Sequence, residues 1–112
     1  MKAILYCRVD GPINSFTMDA IRAQQKMLLD YAQVNNMEVE QIYTDIGCPG
    51  TTLERIGLQS LIQAMQKGSA DVILVVSHSR LFRGLLPPAL KELPVIAVKE
   101  RDVVLKQDEP SR

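Results

Sequence analysis

DVILVVSHSRLFRG, residues 71–84, joins an almost unbroken apolar run to a polar, basic loop. Asp71 to Val76 shows no polar alternation, so it reads as a strand covered on both faces, the signature of a central strand in a parallel sheet. Ser77 to Gly84 then breaks the pattern and reads as a loop. Upstream, Gly57 to Lys67 reads as a helix, with Leu58, Leu61, Ile62 and Met65 at i, i+3, i+4 and i+7. Gly68 suits its C-terminal cap. Downstream, Pro87-Pro88 opens a short helix, since proline is tolerated in a first turn. Pro94 to Lys99 reads as a further strand, and 107–112 as a solvated tail.

The amino-terminal half repeats the alternation. Ala3 to Val9 (AILYCRV) is a buried-strand run, and Gly11 to Ser15 is a breaker-rich loop. From Thr17 to about Gln33 the period is helical, with Ile21, Leu28 and Ala32 on one face. Thr17 or Asp19 suits its N-cap. Asn35-Asn36 suits its exit, because Asn tolerates the left-handed conformation. Val39 to Tyr43 reads as a strand and Asp45 to Thr52 as a loop.

Strands alternating with helices imply right-handed βαβ units. The expected fold is a three-layer αβα domain, of class α/β, with a mostly parallel sheet of about four strands. It should span 1–106 as one domain. Ligands of such sheets gather at the carboxyl ends of the strands. That directs attention to residues 8–10, Asp45 onward and 77–83.

The chain has 112 residues, of which 46% are hydrophobic and 4% aromatic, with no Trp, so the core must be aliphatic. Lys and Arg number 13, as do Asp and Glu. A free-standing nucleic-acid binder usually carries a basic surplus. Any phosphate site here must therefore be a local cluster. Two cysteines far apart and a single His argue against zinc. Cys7 reads as a small buried hydrophobe, and Cys48 as a loop residue. No metal and no cofactor are expected. No apolar run is long enough to cross a bilayer and no signal peptide opens the chain, so a cytoplasmic protein is expected.

Arg8 follows the first strand, and Arg80 and Arg83 follow the third. Arg55 is a fourth candidate. Arginine presents a planar fork of donors that matches phosphate oxygens. Taken singly, each is an ordinary solvated cation; their convergence depends on the fold. His78 reads as a loop histidine, Asp45 as the cap of its turn, and Gly47 and Gly50 as turn residues. Tyr6 reads as packing, with its hydroxyl near the site.

Four stretches, in order, resemble the catalytic domain of resolvase/invertase-type serine recombinases. YCRVD at 6–10 is similar to the family's opening Tyr-x-Arg-Val-Ser. IRAQQKMLLDYA at 21–32 resembles its Ile-x-x-Gln-x-x-x-Leu-x-x-Tyr-Ala helix. YTDIGCPGTTLERIGLQSL at 43–61 resembles its Asp-x-Gly-x-Ser-Gly-Thr-x-x-x-Arg-x-Gly-Leu segment, and 71–84 its Asp-Arg-Leu-x-Arg segment. Order and spacing agree to about residue 84, and the likeness thins beyond it.

In that family a serine hydroxyl attacks a DNA phosphodiester while arginines hold the phosphate. The resemblance implies this role for Arg8, Arg55, Arg80 and Arg83, and matches Gln24 to a polar residue of the family's first helix. It also places Asp10 where the nucleophilic serine belongs, and Ser79 where an Asp precedes the first arginine of the pair. Gly11-Pro12-Ile13 replaces the polar cluster that follows the serine. No DNA-binding domain is expected after the catalytic-type domain.

These departures imply a relative that has lost strand cleavage and is not an active enzyme. Its expected contacts are the DNA backbone, weak and not sequence-specific, and a second copy or a recombinase partner; no membrane is expected. The helix at 86–92 and the strand after it are candidates for self-association. Two rivals stand beside this reading. One is an active strand-transfer enzyme using a displaced nucleophile, Ser15. The other is a small anion- or nucleotide-binding module.

Overall fold

Every residue of Ala3–Val9 is buried, because strand β1 (Lys2–Val9) is central and covered on both faces. A computed structural model describes residues 1–47, 53 and 55–100 of the chain. After β1 come α1 (Ser15–Val34), β2 (Glu38–Ile46), α2 (Ile56–Gln66) and β3 (Val72–Val75). Two one-turn helices, α3 (His78–Leu81) and α4 (Pro88–Lys91), precede β4 (Val95–Ala97). The sheet order is β2-β1-β3-β4, and every pairing is parallel.

The order explains the layers. The chain moves from β1 to β2 in one direction and from β2 to β3 in the other. Right-handed crossovers then place the two connecting helices on opposite faces. The packing agrees. Ala3, Leu5, Cys7 and Val9 pack with Ile21, Leu28 and Ala32 of α1. Ile4 and Tyr6 pack with Leu58, Leu61 and Ile62 of α2, and with Leu81 and Leu90. This is the three-layer α/β architecture that the apolar periods imply.

Several boundaries move. Helix α1 starts at Ser15, with Asn14 as N-cap. The Asn14 side chain accepts from the Thr17 backbone N–H, and Thr17 Oγ1 accepts from that of Asn14. Neither Thr17 nor Asp19 is the cap, and Ser15 lies in a helical turn rather than a loop. Asn36 leaves the helix at a φ of 55°, as expected of Asn. Strand β2 runs on to Ile46 because β1 stays beside it, pairing Arg8 with Asp45 and Val9 with Ile46. The expected strand at 94–99 keeps only Val95–Ala97, and residues 98–100 turn helical. The expected loop at 77–84 contains α3. Cys48, Gly50 and the expected tail lie outside the described residues.

Candidate functional site at the carboxyl edge

Strands β1 and β3 are neighbours whose onward connections leave in opposite directions, the arrangement that opens a crevice at strand carboxyl ends. Residues 8–10 and 77–83 meet there. Arg8 is fully buried. Its Nε donates to the Arg80 carbonyl at 3.0 Å and its Nη2 to the Ser79 carbonyl at 2.7 Å. Its Nη1 donates to Asp10 Oδ1. The other Asp10 oxygen, Oδ2, lies 3.4 Å from Arg83 Nη1. Arg80 Nη1 donates to the Arg8 carbonyl at 3.3 Å. Asp10 is thus clasped by Arg8 and Arg83, with Arg80 against the same strand end.

Burial lowers the Arg8 pKa to about 10, assisted by the nearby positive charge of Arg55. Arg8 therefore stays charged at neutral pH. Gln24, from α1, fixes the Arg8 backbone from the opposite face. It accepts from the Arg8 N–H at 3.2 Å and donates to the Arg8 carbonyl at 2.9 Å. Its contact is thus with the main chain that carries the arginine.

Arg55 sits in a second, deeper network. Its Nη1 donates to Tyr6 Oη at 2.9 Å and its Nη2 to the Leu81 carbonyl at 2.6 Å. Its guanidinium also lies 5.8 Å from the Tyr6 ring centre and 5.9 Å from that of Phe82. Tyr6 Oη donates to Asp45 Oδ2 at 2.7 Å. Burial first, and that bond second, push the Tyr6 hydroxyl pKa well above its ordinary value. Asp45 accepts the backbone N–H groups of Gly57 at 2.8 Å and Leu58 at 2.9 Å. It caps α2 from a distant strand, whereas its own turn was the expected target.

One helical turn leaves its carbonyls without intrahelical partners. Those of α3 at residues 79, 80 and 81 are taken by Arg8 and Arg55. Cations at a helix carboxyl end also suit its dipole. The two buried arginines therefore build the ledge, while Arg80, half-buried, lies on the Arg8 carbonyl and Arg83, exposed, lies by Asp10. Ser15 and Ser79 are exposed, and the Ser79 hydroxyl lies 3.0 Å from that of Ser77. His78 contacts Glu100, a residue that no sequence pattern marked. Among the described residues, no group of three or more His, Cys, Asp and Glu is arranged to hold a metal, and no helix is long and apolar enough to cross a membrane.

The family model "Resolvase, N terminal domain" matches residues 3–106. The chain belongs to this family. Solved relatives of the resolvase domain agree in fold. The N-terminal catalytic domain of TP901-1 integrase is 32% identical, at a TM-score of 0.69, over 75% of this chain and 62% of that one. The C-terminal catalytic domain of ISC1926 TnpA, an IS607-like serine recombinase, is 25% identical at a TM-score of 0.76, over 99% and 79%. A resolvase family site-specific recombinase from Streptococcus pneumoniae is 26% identical at 0.63, over 75% and 58%. The chain thus spans about three-fifths of the first of these, by the 62% covered. No curated protein matches it significantly.

Proposed function

We propose that this resolvase domain holds DNA backbone phosphate weakly and does not cut it. The observation that carries this reading is the Asp10 carboxylate, with one oxygen on Arg8 and the other by Arg83; the sequence resemblance matches Asp10 to the family's serine. A carboxylate there neutralises cations that a phosphate would use and repels the phosphate itself. Attack by it would give an acyl phosphate, a more labile link than a phosphoserine ester. Arg80, set on the Arg8 carbonyl, remains for phosphate, and Arg83 is shared with Asp10, with Arg8, Arg55 and Gln24 supporting them. Phosphate contacts position a protein without reading sequence, so binding is non-specific. Residues 1–106 act as one catalytic-type unit in the cytoplasm. Its partner is a second copy or a cleavage-competent recombinase, and only the latter supplies strand cleavage.

The test is fluorescence anisotropy of a labelled random-sequence duplex, with wild-type protein and Arg80→Ala at two salt concentrations. Wild-type binding that weakens with salt and falls in the variant is expected. A nicking assay on supercoiled DNA runs alongside and should show no covalent protein–DNA product. Formation of that product by the wild type overturns the reading, as does binding that ignores Arg80.

A further inference from the structure

Helix α3 is too short to hold itself, since a single turn costs more to nucleate than its hydrogen bonds return. Its carboxyl end is fixed by Arg8 and Arg55. Its amino end has no such help from its own N-cap: the Ser77 side chain makes no capping hydrogen bond. The missing acceptor comes from 22 residues downstream. Glu100 Oε1 accepts the His78 backbone N–H at 3.1 Å, and Glu100 Oε2 meets His78 Nδ1. The Lys99 N–H donates to the Val76 carbonyl at 3.0 Å, which ties the two segments together one step earlier.

We propose that Glu100 is a positioning residue for Arg80: its carboxylate caps α3 from outside and so sets the outward cation of the site. The chain of contacts is short. Glu100 fixes His78, His78 opens the turn, and the turn carries Arg80 back onto the Arg8 carbonyl. The segment after β4 is thereby linked to the anion-facing edge. Whatever moves Glu100 moves Arg80. The DNA-binding consequence rests on the function proposed above; the cap itself does not.

The experiment separates the two. Amide hydrogen exchange is followed at Arg80, bonded to the Ser77 carbonyl, and at Phe82, bonded to that of His78. It is compared in wild type, Glu100→Ala, and Glu100→Ala with Ser77→Asn, which supplies a local neutral cap. The single variant should exchange roughly tenfold faster at both amides, the size of a lost cap, and the second substitution should restore protection. Amides of β1 should be unchanged in all three, which shows an intact fold. DNA anisotropy on the same proteins should follow, with affinity falling severalfold and recovering with the double variant. Unchanged exchange in Glu100→Ala overturns the proposal, as does a loss that Ser77→Asn does not repair. A wild type that binds no DNA, with the exchange pattern intact, sinks the proposed function and leaves the cap standing.

Discussion

Removing the Asp45 carboxylate leaves three buried donors without their acceptor: Tyr6 Oη and the N–H groups of Gly57 and Leu58. Each stranded donor costs about 1–3 kcal/mol. Asp45→Ala is therefore expected to lower unfolding free energy by roughly 3 kcal/mol or more, read by urea denaturation. The same carboxylate explains why residue 57 is glycine, because a Cβ there would lie 2.8 Å from Asp45 Oδ2. Gly57→Ala should cost about 1–3 kcal/mol by the same measurement, as other overpacked sites do. Burial raises the Cys7 thiol to about 12, so it should resist thiol reagents until the protein unfolds. Glu100 can be tested by pH. Partial burial raises its pKa, but side-chain and backbone hydrogen bonds from His78 outweigh this and hold it below the usual value. A depressed carboxyl pKa stabilises above the ordinary glutamate range, and that contribution is lost as pH falls through the lowered value. Carboxyl-carbon NMR should show this low midpoint, and His78→Ala should raise it.

Among the elements, the existence of strands and of the two long helices was easier to read than their ends. Thr17 and Asp19 both fit an N-cap signature, yet the chain turns helical at Ser15 because Asn14, extended at a φ of −158°, supplies an equally good cap. Thr17 belongs to the same box one turn later. Thr17→Ala should cost about 1 kcal/mol in urea unfolding. Strand β2 was read short because Thr44 and Asp45 are polar, while its true length follows the neighbouring strand. Helix α3 was illegible because one turn has no period. For the same reason, the carbonyls that Arg8 and Arg55 hold had no trace in the sequence. What was legible was the convergence of Arg8, Arg80 and Arg83 with Asp10 on one edge, since βαβ alternation puts strand ends together. Arg55 was grouped with them, but its partners include Tyr6 and the Leu81 carbonyl in the layer beneath.

Across the whole molecule, a formal net charge of zero means that attraction to DNA must come from the site itself. With Arg80 meeting phosphate and Arg83 shared with Asp10, log affinity should fall against log salt with a slope of about −1 to −2, far shallower than for a basic DNA-binding domain. Sheet order carries a different consequence. Of the four strands, β1 is made first, yet it lies between two that follow it. Its neighbour β2 begins at Glu38, and its other neighbour is not made until Val72, which pairs with Ala3. At about 5–20 residues per second, the intervening chain takes roughly 3–14 s to synthesise. During those seconds a strand destined for the molecule's centre has an open edge and an apolar face that nascent-chain chaperones must shield.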